Sequence, residues 1–491
     1  MPLPHKRLFL IPLDARPVCY DFPKRLAQSA GLELCLPSPT LLGYLKQPAN
    51  LKALERWIKQ HLFEKEPVIA ALDTLAYGGL IPARLDDNTL TTLKQRIDRF
   101  IRQVDADGLF AFSSILRIPA YNNAEEEPDY WAQYGAGIYN YSASVHQHGE
   151  DHPKTQALAL ALPADVLNDF LARRKRHHSL NRHYLQYLSD RQFDYLTFCQ
   201  DDTGPFGINV QEAQDLAREV HAKHLDQSAH IQTGADEIAV VMLARWMARV
   251  HTAQNREPVR IYPYFSSETG RQCIARFDGI SIEAIADQAI RACGAQRAKK
   301  PKDADLWLVV HTPDSEQGDL CLPRKARVSD QQHDAVLGIL ETAIEESQPV
   351  MLADVANANG SDALLSEKIL TRFEDLTPLY GYAAWNTPGN TLGSCVAMGV
   401  VRYLAEYYET FQAEEFCKLL LIRLGDDWLY QSEVRQKLRA ELNGTLPDEI
   451  RLNTEMANGL ALLKSRLGLD RAITHCAFPC QRTFEVEITV Q

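Results

Sequence analysis

Short apolar runs recur along the chain, each ending in polar or Gly-rich sequence and each followed by a stretch of helical period. They predict strands at RLFLIPL (7–13), LELCL (32–36), PVIAAL (67–72), GLFAF (108–112), YLTFC (195–199), HIQT (230–233), VRIYPY (259–264), LWLVV (306–310), VMLA (350–353) and LYGYAA (379–384). Between them, segments such as ANLKALERWIKQHL, VQEAQDLAREVHAKHL and EIAVVMLARWMARVHT space their apolar residues three or four apart, the stripe of a helix that buries one face. Strands alternating with such helices imply a mostly parallel sheet or barrel.

Two regions depart from the rhythm. Residues 122–152 carry Glu125, Glu126 and Glu127, then Tyr130, Trp131, Tyr134, Tyr139 and Tyr141, and are expected to form a long aromatic-rich inserted loop, a platform or lid over the strand ends. Beyond Arg402 the pattern is mainly helical, and RTFEVEITV (482–490) alternates like one edge strand. The expected organisation is an α/β catalytic body over 1–401 and a mainly helical extension over 402–491.

Composition narrows the class. With 45% hydrophobic and 24% charged residues in 491, the chain can bury a large core, which excludes disorder. A formal charge of -12 argues against a phosphate-backbone partner. No apolar run is long enough to cross a bilayer, and MPLPHKR leads into RLFLIPLDARP without a cleavage site of the signal-peptide kind. A cytoplasmic location without membrane or nucleic-acid partners is therefore expected. The cysteines lack any C-x-x-C pair and read as buried free thiols.

Candidate chemistry gathers at the strand ends, where parallel α/β folds bind ligands. The first strand is followed by Asp14 and Arg16, the third by Asp73 and Tyr77, the fourth by Arg117 and the fifth by Asp201 and Asp202. Later ends carry Gly234 to Glu237, Tyr264, His311, Asp354 with Asn357, and Trp385 with Asn386. One strand-end Asp is commonly a helix cap. Polar loading of nearly every end implies a shared face, and so predicts a (β/α) barrel-like body with extra strands. The alternative is two doubly wound α/β domains meeting near residue 257.

Asp236 and Glu237, where a strand turns into a helix, form the sharpest pair. When a sugar bears a 2-acetamido group, that group's carbonyl oxygen can attack its own anomeric carbon. The enzyme then needs one carboxylate to orient the amide, here Asp236, and a neighbouring acid to protonate the leaving oxygen, here Glu237. The bland alternative is a helix cap with a second acid at the positive helix end. GADE (234–237) resembles the Gly-Asp-Glu signature of retaining β-N-acetylhexosaminidases, over about eight residues. A far wider resemblance, to the bacterial domain-of-unknown-function family 4127, rests on PLDARP (12–17), LDTLAYGGL (72–80), QDDTGPFG (200–207), GADE, ADVANANGSD (353–362) and AWNTPGNTLG (384–393). It supplies a grouping and no activity.

The leading expectation is thus an exo-acting glycoside hydrolase of β-linked N-acetylhexosamines, retaining and substrate-assisted. Asp236 and Glu237 would be catalytic; Asp14, Arg16, Asp73, Tyr77, Arg117, Asp201, Asp202, Tyr264, Asp354, Asn357, Trp385 and Asn386 would bind a small carbohydrate. A divalent-metal hydrolase or isomerase using Asp14, Asp73, Asp202, His311 and Asp354 is the second reading, and a non-catalytic ligand binder the third. No G-x-G-x-x-G, G-x-x-x-x-G-K-[ST] or G-x-S-x-G motif is present, which lowers dinucleotide, nucleotide and serine-hydrolase readings, and the leading reading is expected to use no cofactor and no metal.

Overall fold

The computed structural model describes residues 2–62, 65–322, 325–441 and 446–491. Every apolar run named above forms a strand. The first six strands are β1 (Arg7–Ile11), β2 (Glu33–Cys35), β3 (Val68–Ala71), β4 (Leu109–Ile115), β5 (Tyr195–Gln200) and β6 (Ala229–Thr233), which make one parallel sheet in the order β2-β1-β3-β4-β5-β6. A second parallel sheet contains β7 (Arg260–Phe265), β8 (Gln296–Arg297), β9 (Leu306–His311), β11 (Val350–Asp354) and β13 (Leu379–Ala383), ordered β13-β11-β9-β7-β8. Two short pairs complete the set: β10 (Gly318–Asp319) with β12 (Asn357–Ala358), and antiparallel β14 (Thr474–Ala477) with β15 (Glu487–Val490).

The barrel expectation is corrected: among the described residues the strands form two open sheets and close no barrel. Both sheets wind alike. Each starts in its interior, adds one strand to one side, then reverses and adds the rest to the other, placing switch points between β1 and β3 and between β7 and β9. Strands β3 and β4 are buried along their whole length, as continuous apolar runs covered on both faces must be.

One apolar core runs through both sheets. The helices Ile238–Ala253, after β6, and Pro388–Tyr407, after β13, are buried nearly all round and pack on each other, with Ile282–Ala292 packed on the second. The suggested boundary at 401/402 falls inside Pro388–Tyr407, so the C-terminal segment continues from a core helix. It then runs through Ala413–Arg423, an eleven-residue π-helical stretch Leu424–Val434, and Arg435–Glu441. The expected edge strand is β15, which pairs with β14 and joins neither large sheet.

The expected aromatic loop is also corrected. Residues Trp131–His148 form a helix, with Trp131, Ile138, Tyr141 and Val145 packed on Val166 and Phe170 in a small second core. Their three- and four-residue spacing is helical, and tyrosines scattered on the outer face obscured it. No described helix is long and apolar enough to cross a membrane. All the cysteines are free, and most are buried.

Candidate functional site

A cleft of about 670 Å³ opens where the C-terminal ends of the two sheets meet. The loop after β1 supplies Arg16, that after β3 Arg84, that after β4 Arg117 and Tyr121, that after β5 Asp201 and Asp202, and that after β6 Gly234 to Asp236. The second sheet adds Arg276 and Phe277 after β7, Asp319 after β9, Asn359 after β11, and Asn386 and Asn390 after β13. Arg435, Arg439, Arg482 and Phe484 come from the C-terminal segment.

Ion pairs lock one wall. Arg84 donates to Asp201 Oδ2 at 2.6 Å, to Glu127 Oε1 at 3.0 Å and to Glu126 Oε2 at 3.1 Å. Arg117 reaches Glu127 and Glu126 at 2.9 Å and Asp202 Oδ2 at 3.0 Å. Arg482 ties Glu126 Oε1 at 2.6 Å to Glu485. Burial alone would raise Glu126, but Arg117, Arg84 and Arg482 together hold it well below the usual carboxylate range.

Asp236 and Asp202 are the two cleft carboxylates that burial raises. Asp236 meets Arg16 Nη2 at 2.5 Å, its backbone N–H donates to Asn390 Oδ1 at 3.2 Å, and Asn386 Nδ2 lies 3.5 Å from its Oδ2. Burial raises Asp236, against the pull of Arg16. Asp202 keeps 32% of its side-chain surface open, yet the surrounding protein still desolvates it. That desolvation pushes it up to about 6, with Arg117 opposing and Asp201 and Asp236 adding to the rise. Asp202 (φ 27°), Asn359 (φ 64°) and Asn386 (φ 60°) all line the cleft in the left-handed region, a strain that folds tolerate chiefly at functional sites.

Of the residues expected from sequence, Arg16, Arg117, Asp201, Asp202, Asp236 and Asn386 therefore converge on the cleft. Glu237 does not. It is 1% exposed, and both its carboxylate oxygens are buried without a hydrogen-bond partner among the described residues. Gly234, at φ 86°, has room for no side chain, since a Cβ there would lie 2.4 Å from Glu237 Oε1. Burial raises Glu237 well above the usual range, so it is a neutral acid behind the cleft floor. The other candidates are not part of the cleft lining. Asp73 accepts the Ser114 N–H at 2.7 Å and lies 3.4 Å from His177, on which Tyr77 stacks. Asp354 accepts the N–H groups of Ala356 and Asp362, Asn357 accepts that of Ala326, and Tyr264 packs between Tyr262 and Trp307. Trp385 is buried edge-on against Phe484, one layer behind the lining. Asp14 lies beside the cleft in an adjoining pocket, where it holds Arg16 at 2.9 Å.

The residues proposed as metal ligands do not come together as a set, although His311 and Asp354 are register partners on β9 and β11. His311 instead shares Asp362 Oδ2 with His333, at 3.2 and 2.8 Å, and these three are the described group spaced to hold an ion. Lys368 Nζ, 3.3 Å from His333 Nδ1, can only donate there, so His333 Nε2 carries the proton given to Asp362. His311, Asp362 and His333 form a hydrogen-bonded triad in which His311 Nδ1 is buried without a partner among the described residues. Residues that sequence reasoning missed, Arg276, Asp319, Arg435 and Arg482, lie in a loop, in the short strand β10 or in the C-terminal segment, and follow no predicted body strand directly. Only the alternation of Arg482 and Phe484 in RTFEVEITV offered a signal.

The family model for DUF4127, a protein of unknown function, matches residues 8–489. The chain belongs to this family. No curated protein and no solved structure matches it. Membership in DUF4127 thus groups the chain, and the chemistry has to be argued from the cleft.

Proposed function

We propose that the protein is a glycoside hydrolase in which Asp202 and Asp236 are the working carboxylates. The observation that carries this reading is their joint placement in one cleft, each raised by burial and each beside an arginine: Asp202, 3.0 Å from Arg117, titrates near 6 and can hold a proton, and Asp236 has its counter-charge in Arg16. Tyr121, Phe277 and Phe484 offer apolar ring surface for a sugar face, and Asn359, Asn386 and Asn390 offer amides for hydroxyls.

Asp202 gives its proton to the glycosidic oxygen as the C–O bond breaks, and Asp236 faces the positive charge that develops at the anomeric carbon. Water then supplies the hydroxyl to the sugar and returns a proton to the site. Asp202 replaces Glu237 as the acid, because Glu237 is sealed behind Gly234. Asp236, expected from the sequence to orient a 2-acetamido group, takes the position facing the anomeric centre in this reading.

A panel of nitrophenyl glycosides bearing 2-hydroxyl, 2-acetamido or uronic acid groups tests the reading. Turnover of at least one is expected, with Asp202→Asn and Asp236→Asn each reducing it by two orders of magnitude or more. No cleavage across the panel, or full activity of Asp202→Asn on a poor leaving group, overturns it. A preference for the 2-acetamido sugar would further place Asp236 on the internal-nucleophile route.

A further inference from the structure

The arginines of the cleft divide into two sets. Arg16, Arg84, Arg117 and Arg482 each touch a carboxylate at 3.0 Å or closer. Arg435 does not. It is 4% exposed and lines the cleft, its guanidinium lies 5.1 Å from the Phe484 ring centre, and its one side-chain hydrogen bond among the described residues runs from Nη1 to Gln431 Oε1 at 2.8 Å. Its Nε is buried without a partner. Gln431 is turned toward Arg435 by donating its own Nε2 to Asp426 Oδ1 at 2.9 Å and to the Phe484 carbonyl at 3.1 Å.

The π-helical stretch Leu424–Val434 creates this geometry, placing Asp426, Gln431 and Arg435 in one hydrogen-bonded row directly beside the cleft; such stretches are rare and cluster at functional sites. Arg439, one turn further on, lines the same cleft at its exposed rim. Arg276 also lines it, with its nearest described carboxylate, Asp319, at 3.7 Å. Burying a guanidinium without a matched anion is costly, and Arg435 is buried in this way, with the exposed Arg439 and the partly exposed Arg276 on the same cleft, so the cleft leaves room for an anion from outside. Burial pushes Asp426 up to about 7, so it does not bring a full counter-charge to Arg435 through Gln431 at neutral pH.

We infer that Arg435, supported by Arg439 and Arg276, forms an anion subsite, and that the substrate is a sugar carrying a carboxylate or phosphate group. The inference rests on the hydrolase reading only for calling the ligand a sugar.

Calorimetric titration of the full chain tests it without any turnover. The probes are glucuronate, glucose 6-phosphate, neutral methyl glucoside and inorganic phosphate. At least one charged sugar is expected to bind tenfold or more tightly than methyl glucoside, and the carboxylate and phosphate arms identify which anion is preferred. Added salt should erode the preference, and Arg435→Gln should abolish it. If Arg435→Gln does not fold, Arg439→Gln and Arg276→Gln should each weaken it several-fold. Equal binding of charged and neutral sugars, or an unchanged preference in these variants, overturns the subsite. Uronate binding without cleavage of any glycoside would sink the hydrolase reading alone, and cleavage of neutral glycosides without charge preference would sink the subsite alone.

Discussion

Replacing Asp202 by Asn should remove activity and, at alkaline pH, make the protein more stable. Asn is the residue best able to occupy the left-handed backbone at φ 27°, so the change costs little conformationally. The energetic effect comes from the carboxyl's protonation. In the unfolded chain it titrates near 3.9, and in the cleft at about 6. Its pKa is raised on folding, so it contributes no penalty below about 3.9, a growing one as pH rises to 6, and the full one above 6. The gap corresponds to about 3 kcal/mol at 1.36 kcal/mol per tenfold. Because 32% of the side chain meets solvent, screening reduces this to about 1.5 kcal/mol. Arg117 keeps Glu126 and Glu127 at 2.9 Å, so the lost Asp202 charge does not strand it. Urea melts of wild type and variant at pH 5 and pH 8 read the result. About half of the penalty is already present at pH 5, so the variant should gain about 0.7 kcal/mol on going from pH 5 to pH 8, relative to wild type. A stability difference that does not change with pH, or one that favours the wild type more at pH 8, refutes the assignment of a raised carboxyl at this position.

Glu126→Gln should cost about 3 kcal/mol in the same melts, because three buried arginines lose their shared counter-charge. The wild-type advantage should be full at neutral pH and shrink only as pH falls below the ordinary glutamate value of about 4.3, since Glu126 is held lower in the fold. Glu237→Gln should leave glycoside turnover within a few-fold of wild type, because a neutral amide replaces a neutral acid outside the cleft; a hundred-fold loss would restore Glu237 as the proton donor. Gly399→Ala should destabilise by about 1 to 3 kcal/mol, as its Cβ would sit 2.0 Å from Met351 Sδ where Pro388–Tyr407 crosses β11, and a wild-type melting point would contradict that packing.

The strands were legible because buried parallel strands must be short, apolar and bounded by polar sequence, and RLFLIPL, LWLVV and LYGYAA satisfy all three conditions. The arrangement of those strands was not legible. Whether β6 hands on to a closing partner or β7 opens a second sheet depends on pairing across the sheets, and no local pattern records that. The cleft was legible in part for a related reason. Strand-end carboxylates that cap loops, such as Asp73 and Asp354, have the same sequence context as Asp202 and Asp236. Only the direction of the side chain separates them. Adjacent Asp236 and Glu237 illustrate the point, since one faces Arg16 and the other turns behind Gly234.

Polar loading of so many strand ends nevertheless has one physical cause. In a single open sheet only the ends flanking the switch point form a crevice, and the outer ends drift away with the twist. Here two sheets with the same winding turn their C-terminal ends toward one cleft. The helices Ile238–Ala253 and Pro388–Tyr407 pack together at the seam and hold the sheets in register. The close approach at that seam requires Gly389, whose Cβ would stand 2.8 Å from the Gly234 N. Loops far from either switch point, such as those carrying Asp236 and Asn386, are thereby carried to the same crevice. The strand ends of two sheets so opposed are loaded as those of a barrel would be, which is why the sequence pattern pointed to a ring where the chain builds two facing crevices. The C-terminal segment then closes the open side that a barrel would not have, and Arg435 and Arg482 enter the site from there.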